Sequence, residues 1–120
     1  MGLQMNIQQN QQTDPEFILN EQGAKVYLDP SNHLMLNLPT IKDISETGDI
    51  RYVLSVGFHY GSYMPCVTIQ HDNEPVLYLL PSDLANWVRH TLAAARQGET
   101  MLPTNVEFGI LGSRQYAEFL

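Results

Sequence analysis

Hydrophobic positions in this chain mostly recur at every second residue, in short runs separated by turn-forming residues. Such alternation marks strands with one buried face. The clearest run is "RYVLSVGFHY" (51–60). It sets Tyr52, Leu54, Val56, Phe58 and Tyr60 on one face and Val53, Ser55, Gly57 and His59 on the other. "PCVTIQH" (65–71) opposes Val67 and Ile69 to Cys66, Thr68 and Gln70. "HLMLNLP" opposes Leu34, Leu36 and Leu38 to His33, Met35 and Asn37, and "NVEFGI" aligns Val106, Phe108 and Ile110. "EFILNEQGAKVYLD" carries apolar runs on both sides of Gln22-Gly23, a hairpin signature. "DPSN" (29–32) has proline at the second position of a type I turn, and "KDISETGD" is a polar loop turning at Thr47-Gly48. "VLYLL" (76–80) is apolar at every position, which predicts a central strand covered on both sides.

The period changes once. In "PSDLANWVRHTLAAARQG", Leu84, Trp87, Val88, Thr91, Leu92 and Ala95 fall at spacings of three and four. They form an apolar stripe suited to packing on a sheet. Ser82 is the predicted N-cap, Asp83 suits the first turn and Gly98 the stop, giving one long helix over 82–97. The closing "SRQYAEFL" reads as a short C-terminal helical turn presenting Tyr116, Phe119 and Leu120. This order predicts an α+β fold, with six or seven short, mainly antiparallel strands packed against the helix.

Seven of the nine positions from Gln4 to Gln12 are Gln or Asn. Residues 1–14 are therefore expected to be a flexible tail and residues 15–120 a single domain. Thirteen acids against six bases give a net charge of −7. The bases are scattered, which argues against direct nucleic-acid binding. No apolar run approaches the roughly 20 residues of a membrane span, and no targeting segment stands out, so a cytoplasmic location is expected. The single cysteine excludes an internal disulfide.

Candidate chemistry gathers between residues 53 and 72. A two-residue loop with Gly61 at its first central position pairs Tyr60 with Tyr63, Phe58 with Pro65, Val56 with Val67 and Leu54 with Ile69. His59 and Cys66 then become diagonal neighbours. An imidazole that lowers a thiol pKa produces a nucleophile, so this pair is the candidate catalytic site of a Cys/His-dependent enzyme. No orienting residue or oxyanion donor accompanies it, and a mid-strand cysteine is commonly a small packed hydrophobe. His71 falls on the face opposite Cys66, so the pair and Asp72 do not converge on a metal. No phosphate-binding glycine motif or hydrolase signature is present, and no cofactor is expected.

Tyr60, Tyr63 and Met64 would form an aromatic hairpin tip suited to recognition. Together with Tyr116 and Phe119, they are the expected interaction residues. The resulting expectation is a non-enzymatic, acidic protein-binding domain acting as an interaction, inhibitor or adaptor module, and homodimeric. The alternative is a small-molecule binder with a pocket between sheet and helix, lined by Phe58, Tyr78 and Trp87.

Overall fold

The computed structural model describes residues 18–19, 34–59, 62–99 and 101–120. Among these residues, eight strands run in chain order: β1 (Ile18–Leu19), β2 (Leu34–Met35), β3 (Thr40–Ile41), β4 (Asp49–Phe58), β5 (Pro65–His71), β6 (Glu74–Leu79), β7 (Thr104–Leu111) and β8 (Arg114–Phe119). They form one mixed sheet in the order β2-β6-β5-β4-β7-β3, with β1 paired to β4 and β8 to β7. The long strands are all antiparallel, whereas β2 joins β6 and β3 joins β7 in parallel. The α+β architecture holds, with an antiparallel-dominated but mixed sheet.

The expected long helix is shorter. A 3-10 turn at Ser82–Leu84 leads into α1 (Ala85–Arg96), 12 residues long. Ser82 begins the 3-10 turn instead of capping α1, and among the described residues neither helical start has a side-chain cap. The C-terminus follows expectation. Gly98 has φ +90, its N–H donates to the Ala95 carbonyl, and the Glu99 N–H donates to Ala94. This pair of bonds is a Schellman motif, satisfying two carbonyls that the helix cannot.

α1 lies between β6 and β7 in sequence and over β4 and β5 in space. Leu84, Val88 and Leu92 meet Val53, Val56, Val67, Ile69, Val106 and Phe108 in one core. The apolar stripe read from the sequence is this contact, and burial of that area drives the packing. Thr91, also buried, donates its hydroxyl to the Trp87 carbonyl at 2.8 Å.

Three further expectations change. First, Val53 is fully buried and Tyr52 is 43% exposed, reversing the predicted faces at the start of β4. A bulge between Val53 and Ser55 pairs Val53, instead of Leu54, with Ile69. The extra residue turns both Val53 and Val56 inward despite their odd spacing. It sits where β4 changes neighbour on one edge, from β7 (up to Val53) to β1 (from Val56). Second, β6 is not central and doubly covered; it is one strand from the edge, and Val76 to Leu79 are half-buried. Third, the C-terminal helical turn is strand β8. The predicted tail, the Gln22-Gly23 hairpin, the 29–32 turn and His33 lie outside the described residues.

Candidate functional site

β8 forms because Gly112, at φ +67, and Ser113 close a two-residue hairpin after β7. Six residues are too few for an isolated helix, whereas pairing with β7 satisfies alternate backbone groups at once. The Leu120 N–H donates to the Asn105 carbonyl at 3.1 Å, in register with Val106 opposite Phe119. Bonded and non-bonded pairs alternate in an antiparallel ladder. Arg114, Tyr116 and Glu118 therefore bond β7, while the N–H and C=O groups of Gln115, Ala117 and Phe119 point away from it. Among the described residues, β8 has no second strand neighbour.

A groove flanks each side of this free edge. The first, about 490 Å³, opens on the face opposite α1 and is lined by Ile44, Glu46, Glu107, Leu111, Arg114 and Glu118. Its floor is a close-packed cluster. The Tyr116 ring lies over Gly109, its cross-strand partner, so closely that a Cβ there would sit 2.7 Å from the hydroxyl. That hydroxyl donates to Glu107 Oε2 at 2.7 Å, and the Gly48 N–H donates to the same oxygen at 2.9 Å. Gly48 also has no room for a side chain, because a Cβ would collide with the Phe108 carbonyl.

The two donors hold the Glu107 carboxyl below its ordinary range, the Gly48 N–H first and the Tyr116 hydroxyl second. Burial, then the Glu107 carboxylate, pushes the Tyr116 phenol up to about 12. Glu118 stands directly opposite Glu107 across the ladder, a like-charge pair that weakens the hairpin. The loop beside it is ordered by its own side chains. The Lys42 N–H donates to Glu46 at 2.7 Å and the Ser45 N–H to Asp43 at 2.8 Å. The Ser45 hydroxyl also bonds Asp43, and together these bonds hold the Asp43 carboxyl below its usual range.

The second groove, about 550 Å³, lies between the start of the helical segment and β8, with Asp83, Leu84, Trp87, Gln115 and Ala117 among its walls. Trp87 is braced edge-on against Phe108, with centroids 5.8 Å apart, and against Phe119 at 5.3 Å. Among the described residues, its Nε1 and the Gln115 Oε1 are both buried without hydrogen-bond partners. Buried polar atoms of this kind are usually paired.

The sequence-derived candidates are dispersed. Tyr60 and Gly61, and with them the predicted turn centre, lie outside the described residues. Tyr63 is 68% exposed, with φ 57, and donates its N–H to the His59 carbonyl at 2.7 Å. Met64 is half-buried, and its carbonyl accepts from the His59 N–H at 2.8 Å. Gly57 pairs with Cys66 and Phe58 with Pro65, so His59 and Cys66 are diagonal neighbours in the predicted register. Cys66 is 2% exposed, whereas a reactive thiolate needs access. His59 Nδ1 lies 3.0 Å from the Ser62 hydroxyl.

The three expected pocket residues do not converge. Phe58 lies beneath Arg89, Tyr78 beside Arg51, and Trp87 among the aromatic residues of β7 and β8. Tyr116 and Phe119 do share β8, but each is engaged within the protein: the first with Glu107, the second with Trp87. Glu107, Gln115, Ala117 and Glu118 are not among the sequence-derived candidates. The available signal was the two-residue Gly112-Ser113 link between two alternating runs.

Among the described residues, no three His, Cys, Asp or Glu side chains come together as metal ligands. None of the described helices is long and apolar enough to cross a membrane. Comparison with known proteins gives no match: no family model fits the chain, and no curated protein or solved structure is significantly similar to it.

Proposed function

We propose that this protein is a non-enzymatic, cytoplasmic protein-binding domain that accepts an extended segment of a partner as an added strand along β8. One observation carries the reading. The outward backbone groups of Gln115, Ala117 and Phe119 lack a neighbouring strand among the described residues, and a groove flanks the edge on each side. Exposed edges are templates for pairing, and proteins usually blunt them with bulges, prolines or cover. Among the described residues, β8 has no bulge, proline or covering strand, and its edge charges are Arg114 and Glu118.

Strand addition supplies affinity through main-chain bonds and specificity through alternate side chains. The arrangement suits it. Side chains of an added strand would enter the groove beside Trp87 and the groove beside Glu107 in turn. The reading relocates the interaction surface expected at Tyr60, Tyr63 and Met64 to the strand that carries Tyr116 and Phe119.

Selection of a random decapeptide display library against the full chain tests it. Selected peptides are expected to slow amide exchange at Gln115, Ala117 and Phe119 and to lose binding to Ala117→Pro. Peptides that bind while leaving all three amides unchanged would refute the reading.

A further inference from the structure

Resting on the strand-addition reading, we infer that β8 accepts a cationic segment: an extended stretch in which lysines or arginines alternate with apolar residues. Four carboxylates, Glu46, Glu107, Glu118 and Asp83, line the two grooves against the single guanidinium of Arg114. Among the described residues, neither Glu107 nor Glu118 has a cation within salt-bridge distance. The donors to Glu107 among the described residues are the neutral groups of Gly48 and Tyr116. These bonds fix the position of its charge without neutralising it.

The ladder sets where a cation belongs. On an added strand, the residue opposite Glu118 stands on the face away from α1, about 5 Å from the Glu118 Cβ. Glu107 is the next residue across, one strand spacing further, or about 4.8 Å. A lysine or arginine at this one position meets both carboxylates and relieves their mutual repulsion. Its aliphatic stem can lie along the strand surface while the charged head reaches outward.

The neighbouring position, opposite Ala117, faces the helix side. There the small Ala117 side chain and the walls of Leu84 and Trp87 leave space for an apolar residue. Arg114, at the hairpin end, disfavours a second cation near that end. The matching segment therefore concentrates its positive charge toward Glu118 and places an apolar anchor beside it.

Other occupants fit this surface less well. A two-fold ladder between two β8 strands, centred on Ala117, would set Tyr116 against the copy's Glu118. It would also gather both Glu107–Glu118 pairs on one face, in a chain of net charge −7. The chain's own residues 1–33 carry only one cation, Lys25, against Asp14, Glu16, Glu21 and Asp29. Neither supplies the missing positive charge. A partner segment does.

Three decapeptides in which valine alternates with lysine, glutamine or glutamate test the inference by NMR titration of the full chain. The lysine peptide should bind at β8, perturbing Gln115 to Phe119, about tenfold or more tightly than the glutamate peptide, with glutamine between them. Glu118→Lys should narrow or reverse that order, and Ala117→Pro should abolish binding. Equal affinity of the lysine and glutamine peptides at β8 would overturn the cationic preference but leave strand addition standing. Lysine-peptide binding that survives Ala117→Pro would reveal diffuse charge attraction and overturn the inference. A concentration-dependent dimer that disappears in Ala117→Pro would identify a second copy as the occupant, also overturning it. Failure of all three peptides to perturb β8 would count against strand addition itself.

Discussion

Gly109→Ala is the sharpest probe of the floor beneath the proposed strand site. Its Cβ would lie 2.7 Å from the Tyr116 hydroxyl, 2.8 Å from Cζ and 2.9 Å from Cε2. Carbon contacts are comfortable at roughly 3.5–4.0 Å, so the ring must retreat by about 0.8 Å. That retreat stretches a bond of 2.7 Å to Glu107 to about the limit of hydrogen bonding. Inserting a methyl into a packed site costs about 1–3 kcal/mol, and the Tyr116 ring can swing, which places this case at the lower end. Loss of glycine's unfolded-state freedom offsets about 0.4–1 kcal/mol. The net destabilisation is therefore about 0.5 kcal/mol, or a Tm fall of about 2 °C.

The deciding readout is the titration of the Tyr116 phenol. Displacement removes its burial and its Glu107 partner, so its pKa should fall from about 12 toward 10. A control in the Tyr116→Ala background has no ring to strike, and there Gly109→Ala should be neutral or stabilising. If the substitution costs the same with and without the Tyr116 ring, or leaves the phenol titration unchanged, the packing argument is wrong.

The same phenol gives a pH dependence. Its pKa is raised in the folded state, so the associated stability is intact below pH 10 and lost as pH rises through about 12. Denaturant titrations should show that decline between pH 10 and 12, and Tyr116→Phe should remove it. On the face of β4 and β5 away from α1, Ser55 and Thr68 are directly paired, with both hydroxyls buried and, among the described residues, unpartnered. Thr68→Val keeps the shape and removes an unsatisfied hydroxyl, so it should stabilise by about 1 kcal/mol in chemical denaturation; a loss of that size would mean that the hydroxyl is satisfied.

Much of the fold was legible because its determinants are local. The helix stripe from Leu84 to Ala95 and the Gly98 stop follow from spacing and backbone chemistry within one segment. So does the hairpin register from Ser55 to Phe58 against Pro65 to Thr68. The errors lie where a distant partner decides. The bulge after Val53 accompanies a change of edge neighbour from β7 to β1, and nothing within residues 49–58 announces it. Parallel joining of β2 to β6 and of β3 to β7 is equally non-local. In "SRQYAEFL", Gln, Ala, Glu and Leu favour helix as single residues, yet the alternation of Gln115, Ala117 and Phe119 fits the sheet, and β7 lies two residues away. The candidate site was hidden for the same reason. Glu107 and Glu118 become neighbours only once that pairing is known.

The central claim is that the backbone of Ala117 faces outward and receives a strand. Two proline variants test it most directly, through thermal unfolding and NMR binding of the lysine–valine decapeptide. Proline is tolerated on an edge where its missing N–H faces solvent, but not where a ladder bond is needed. Ala117→Pro should fold with a Tm near that of the wild type and fail to bind the peptide, whereas Tyr116→Pro, which removes a donor to β7, should unfold at a markedly lower temperature. An Ala117→Pro protein that is folded and binds the peptide as the wild type does would contradict the account.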